Sequence, residues 1–226
     1  MKRYRIACIV EGHGEQHSLP LLVQRWLAWR GFRNFEALEP AVRTKASGAF
    51  LAAHQPDRQI GIEYYVEVAL RKQPHAILII RDADDDCIQN PPGNPGLGPR
   101  LLGRAQAVSN GVPVGVVIAN REFEAWILAS LSRVRQAGLI PGARFQESHP
   151  PDTVGFHPVQ PERYRDCKKP LTDMLTRSYS SSVDQKRLVQ HICFTPAACR
   201  RSPSLGKFLR ELDRLTRLAR RTQFPY

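Results

Sequence analysis

Residues 77–86 read Ile-Leu-Ile-Ile-Arg-Asp-Ala-Asp-Asp-Asp. The apolar run predicts a buried strand, and its end delivers four carboxylates, Asp82, Asp84, Asp85 and Asp86, to a cleft or a turn. Carboxylates this close repel one another unless cations or water screen them, so the stretch reads either as a divalent-metal site or as a solvated acidic turn. Side chains alternate along a strand. If strand geometry persists, Asp82 and Asp84 therefore point one way, Asp85 points the other, and Asp86 faces the cleft again.

A second junction of the same kind opens the chain. Tyr4–Val10 predicts a short strand, followed at once by Glu11-Gly-His-Gly-Glu15 and then by helical spacing at Leu19, Leu22, Val23, Trp26 and Leu27, with Gly31 placed as the stop. Residues 35–43 predict a short edge strand interrupted by Pro40. Residues 60–73 predict a helix leading into the strand at 75–80, and about 100–110 predicts an amphipathic helix. Val112–Ala119 predicts a further buried strand. Alternating strands and helices predict an α/β fold with a largely parallel sheet of about four strands and helices on both faces. In such sheets, residues just past the strand ends gather along one edge, which brings Glu11 and the Asp82/Asp84 pair to a single cleft.

Two stretches are punctuated by Pro and Gly. Asn90–Pro99 holds four prolines and three glycines and reads as a loop, a candidate lid beside the acidic tip; residues 141–163 read as a second loop. The chain beyond them reads as helical. Its last helix lines one face with Leu205, Phe208, Leu209, Leu212, Leu215 and Leu218. The expected organisation is an α/β core over 1–140 and a helical extension over 141–226, packed together as one globular unit.

Composition narrows the function class. The chain has 226 residues, 42% of them hydrophobic, and no apolar stretch near the roughly 20 residues that cross a bilayer. Met-Lys-Arg-Tyr-Arg runs directly into the first strand rather than into a signal-peptide core, so the expected location is the cytoplasm, away from membranes. Five cysteines without a C-x-x-C pair argue against a disulfide framework and a Cys-rich zinc site. The net charge of +12 is spread widely while the acids are concentrated, which favours nucleic acid, DNA or RNA, as partner. From Arg200 to Tyr226 there are eight Lys/Arg against two acids, a local excess suited to phosphate or to an acidic protein. A homodimer is among the assemblies this sequence allows.

Glu11, Asp82 and Asp84 are the first candidates for catalytic acids and metal ligands, because hard Mg²⁺ or Mn²⁺ takes carboxylate oxygen and completes its shell with water and substrate phosphate. Glu15 and Asp86 are candidates for a second ion, as in two-metal displacement at phosphorus. Arg81 is placed to pair with one of these acids or to meet a phosphate. Glu124 opens a helix after the 112–119 strand and faces the same edge, although Glu is also simply favourable in a first turn. Lys186 is the basic candidate, against the alternative of a solvated helix lysine. His13-Gly-Glu-Gln-His17 has its Glu in the wrong position for H-E-x-x-H, with His13 expected before the helix. Gly12-x-Gly14 lacks the Lys-Ser/Thr of a P-loop.

Val10-Glu11-Gly12 with Glu15, Arg81-Asp82-Ala83-Asp84, Asn120-Arg-Glu-Phe-Glu124-Ala-Trp126, and Asp184-Gln-Lys186 with Ser204-Leu-Gly-Lys-Phe208 occur in an order and spacing that resemble a Toprim-related family known as domain of unknown function 4276. The Glu and Asp-x-Asp positions are also similar to the Toprim domains of topoisomerases, primases and overcoming-lysogenization-defect nucleases. The resemblance implies a Toprim-like three-layer sandwich with a helical C-terminal extension. It carries the family's metal-binding and catalytic roles onto Glu11, Asp82 and Asp84, and adds Glu124. It further implies a Mg²⁺-dependent nuclease, in phage-defence settings accompanied by a separate ATPase. The alternatives are a non-catalytic nucleic-acid-binding or scaffolding module and another phosphoryl-transfer enzyme.

Overall fold

Tyr4–Val10 forms β1, and the period of two along it feeds two cores: Ile6, Cys8 and Val10 face one side, Ala7 and Ile9 the other. The same split holds for β4 (Ala76–Asp82) and β5 (Val114–Ala119), where Leu78, Ile80, Val117 and Ala119 join the first core and Ile77, Ile79, Val114, Val116 and Ile118 the second. Strands covered on both faces have no solvent side, which is why Ile6–Val10, Ala76–Ile80 and Val114–Ala119 are apolar runs. The structure, a computed structural model, describes residues 2–45, 48–84, 95–140, 160–175 and 177–222.

Among the described residues, every pairing within the sheet is parallel. β1 pairs with β4 (Cys8 opposite Leu78) and β4 with β5 (Ile79 opposite Val116). The other edge of β1 pairs first with β2 (Phe35–Ala37) and then with β3 (Val42–Arg43), giving five strands in the order β2-β1-β4-β5 with β3 continuing the β2 edge. The break in that edge falls at Pro40, which has no N–H to give to a ladder.

Helices α1 (His13–Trp29), α2 (Ile62–Leu70) and α3 (Leu97–Ala107) connect the strands. Pro20 lies inside α1, where a missing N–H leaves the Gln16 carbonyl without its helical partner. That carbonyl accepts the Ala41 N–H at 2.9 Å, so the helix defect anchors the chain between β2 and β3. α1 begins at His13 rather than after it. α3 begins at Leu97, three residues earlier than the Pro/Gly composition suggested, because Gly98 and Pro99 fall in its first turn, where Pro loses no hydrogen bond. Residues 90–94 of the predicted lid, and residues 141–159 of the second loop, lie outside the described residues.

Beyond β5 come α4 (Glu124–Leu128), α5 (Leu131–Gln136), α6 (Lys168–Leu175), α7 (Ser181–Leu188), α8 (Pro196–Arg201) and α9 (Pro203–Arg221). α9 lays Leu205, Phe208, Leu212, Leu215 and Ala219 into the same core as Leu78, Ile80 and the α1 residues Leu22 and Trp26. α1 and α9 thus form one helical layer, α2 and α3 the opposite one, and the sheet lies between. This is an α/β three-layer sandwich consistent with a Toprim-like architecture. Among the described residues no helix is long and apolar enough to cross a membrane.

α9 is therefore half of a sandwich layer rather than an appendage. Phe208→Ala is expected to lower stability by about 3–5 kcal/mol in urea unfolding. Val183→Ala, at a position 67% exposed, should shift it by less than about 0.5 kcal/mol.

Candidate metal centre at the carboxyl edge

From β1 the chain crosses through α1 to β2 on one side; it then returns through α2, on the opposite face, to β4 on the other side of β1. Strand order reverses there, and a crevice opens beyond the carboxyl ends of β1 and β4. The cavity in it, about 240 Å³, is lined by Glu11, Gly12, Glu15, Ile80, Asp82, Asp84, Lys168 and Ser181. Glu11 and Asp82, 71 positions apart in sequence, thus face one space. Asp84 does so although β4 ends at Asp82: its backbone turns into the left-handed region (φ 47°), tied by its N–H to the Arg121 carbonyl at 2.9 Å.

Glu11 is held by Arg81, with Nε 3.2 Å from Oε2, and its Oε1 is buried without a hydrogen-bond partner. Burial pushes the Glu11 carboxyl above its ordinary value, Arg81 and the Gly48 backbone pull it down, and Asp84 pushes it up. Asp82 lies deep in the molecule yet keeps partial exposure through the cavity; its Oδ1 accepts the Phe123 N–H at 2.8 Å, just ahead of α4. Its carboxyl is held well above the usual range by burial first, then by Glu124, Glu15 and Asp84, with Lys168 opposing.

Glu124 sits behind Asp82, fully buried, with neither carboxylate oxygen hydrogen-bonded. Burial, with Glu15 and Glu122, raises it from 4.5 to about 7, against the pull of Lys168. Burial first, and then the nearby Glu124, push the Tyr179 hydroxyl above its ordinary range, but the two side chains make no hydrogen bond of normal geometry. Glu15, in the first turn of α1, is fixed from two sides. Its Oε1 accepts from Gln185 Nε2 at 2.7 Å, and its Oε2 occupies the space a Cβ on Gly12 would need. Gln185 in turn accepts from Ser18 Oγ at 2.8 Å and lies against Gly14, where a Cβ would come 2.3 Å from its Oε1. The Gly-x-Gly phrase is a packing device for Glu15 and α7, not a phosphate loop.

The other candidates are distributed as follows. Arg81 is a buried partner of Glu11. Lys186 stays on the exposed face of α7 and does not line the cavity; the lysine that does is Lys168, whose Nζ lies 2.5 Å from Glu122 Oε1 and whose ammonium is held above its ordinary range by Glu124, Glu122 and Asp82. His13 and His17 are exposed on α1 outside the cavity, and Trp126 is fully buried core. Asp86 lies outside the described residues. Among the described residues, no three His, Cys, Asp or Glu side chains already converge as a ready coordination set.

Comparison with protein-family models, curated proteins and solved structures finds no match to the chain.

Lys168 and Gln185 were not singled out for this site by sequence reasoning, because each reaches it from the far side of an irregular segment. Lys168 is delivered by Glu122, which also accepts the Cys167 N–H at 2.7 Å. Glu162 pins the same segment, accepting from Asn120 Nδ2 (3.2 Å) and from the Ser204 N–H (2.9 Å) and hydroxyl (2.6 Å) in the first turn of α9. The signals in sequence were the phrases Glu122-Phe-Glu124-Ala-Trp126, Asp184-Gln-Lys186 and Ser204-Leu-Gly-Lys-Phe208; Trp126 donates Nε1–H to Ser204 Oγ at 2.7 Å.

Glu124 gives this cluster a pH signature in the metal-free protein. Its folded-state value near 7 exceeds the ordinary 4.5, so its contribution to stability is full below about pH 4.5 and lost as pH rises through about 7. Unfolding in chelator should show stability falling across that window by on the order of 3 kcal/mol, and Glu124→Gln should flatten the decline. An unchanged slope in the variant would assign it elsewhere.

Proposed function

We propose that the protein is a divalent-metal-dependent nuclease that hydrolyses nucleic-acid phosphodiester bonds in this crevice. The observation that carries the reading is the gathering of Glu11, Glu15, Asp82 and Asp84 around one cavity with Glu124 buried behind them, opposed only by Arg81 and Lys168 among the cationic side chains described there. The donor chemistry is all carboxylate oxygen, including the unpartnered buried Oε1 of Glu11, which suits Mg²⁺ or Mn²⁺ and not a soft metal. Mg²⁺ is commonly held by one or two carboxylates together with water and substrate phosphate.

Asp82, Asp84, Glu15 and Glu11 are the residues that would hold the ion. When bound, it would supply charge for the phosphate and lower the pKa of a coordinated water. The chain's own groups do the rest. Lys168, kept protonated by the surrounding carboxylates, offsets phosphate charge at the cavity wall. Gln185 orients Glu15. Glu124, poised near neutrality, is suited to hold a proton beside Asp82 and to give it up as positive charge accumulates. The surplus of basic residues favours a polyanionic substrate over a small nucleotide. The resemblance to the Toprim-related family adds a phage-defence setting with a separate ATPase to this proposal.

The Glu11–Arg81 pair favours a second reading, in which the acids are structural and the protein is a binding or scaffolding module. Labelled DNA and RNA incubated with Mg²⁺ or Mn²⁺ decide between them. Cleavage dependent on the metal and reduced at least about 100-fold by Asp82→Asn is the expected result. Salt-sensitive binding by folded protein without cleavage would establish the second reading.

A further inference from the structure

α1 carries Glu15 at its start and ends on a different surface. Its 17 residues place Trp29 about 25 Å from the acid cavity at 1.5 Å per residue, at the amino edge of the sheet. Trp29 is 60% exposed, against 1% for Trp26 and 0% for Trp126. It belongs to a continuous series of rings and cations. Tyr4 stacks on Phe35 at 4.8 Å, and the Arg220 guanidinium lies 5.4 Å from Phe35 and 4.9 Å from Phe32. Phe32 meets Trp26 at 5.6 Å; Arg30 lies 6.0 Å from both Trp26 and Trp29, and Trp29 meets Phe194 at 5.6 Å.

The belt is positively charged as well as aromatic. Arg30, Arg217, Arg220 and Arg221 are exposed on it, with Asp213 the acid beside them, 3.0 Å from Arg30. Arg217 lies one helical turn from Asp213 and so shares its face. Packing explains Trp26, Phe32 and Phe35, which are buried or half-buried, but it does not explain a tryptophan left open among arginines. Such a surface matches a strand whose phosphates meet guanidinium groups while an unpaired base lies on an indole; in a duplex the bases are already stacked and hidden.

We infer that the amino-edge belt centred on Trp29, Arg30 and Arg220 is a binding site for single-stranded nucleic acid, separate from the acid cavity. Binding of fluorescein-labelled oligo-dT and oligo-U, followed by anisotropy with excess chelator over a range of salt, tests this independently of any cleavage. Native protein is expected to bind both with salt-dependent affinity and to lose tryptophan fluorescence on binding, a signal that reports Trp29 because the other two indoles are buried. Trp29→Ala should weaken binding roughly tenfold, and Trp29→Phe, which keeps a ring, should recover most of the loss. Arg220→Gln should make the salt dependence shallower by about one phosphate contact. Undiminished binding by Trp29→Ala, equal or tighter binding of duplex, or no binding by native protein, as for a belt that meets an acidic protein instead, would overturn the assignment. The nuclease reading fails separately, through absence of metal-dependent cleavage.

Discussion

Carboxylates crowded where water is scarce must find positive charge or keep their protons, and the middle of this molecule is arranged around that constraint. Glu124 is fully buried without a hydrogen bond, Asp82 stands before it, and Glu15 comes from α1. Burial raises Glu124 and Asp82 together, while Lys168 draws both down. To deliver that lysine, Glu122 and Glu162 pin the segment ahead of α6 to the end of β5 and to the start of α9. The C-terminal helices therefore complete both the core and the electrostatics of the crevice.

The two ends of the sheet carry opposite charge because the helices of one layer run antiparallel to the strands. α1 starts at the carboxyl edge with Glu15 and ends at the amino edge with Trp29 and Arg30; α9 starts beside Glu162 and ends with Arg220 and Arg221. Basic residues near the last turn also complement the helix dipole, so the amino edge gathers cations at little cost. The molecule thus carries an acidic crevice at one end of the sheet and a cationic aromatic belt at the other.

Much of this was legible in sequence where physics is local. The buried stretches Ile6–Val10, Ala76–Ile80 and Val114–Ala119 are apolar runs, since strands buried on both faces admit little else, and the acids that follow the first two were placed together by the logic of parallel sheets. The face of α9 was readable from its spacing. Contacts between distant segments were not. Gln185 meets Glu15 across 170 positions, and no periodicity marks it apart from the exposed Lys186 beside it. Lys168 follows a stretch rich in Pro and Gly, where pattern carries little information. The role of Gly12 and Gly14 is visible only once Glu15 and Gln185 occupy the space their missing side chains leave.

Titration of the protein with Mn²⁺, followed by electron paramagnetic resonance without substrate, shows whether the carboxylates at the ends of β1 and β4 form a divalent-cation site. The expected result is saturable binding that strengthens from about pH 6 to about pH 8 as the raised carboxyls release their protons, and that is lost in Asp82→Asn. No saturable binding by the folded native protein, or binding undiminished in Asp82→Asn, would rule such a site out.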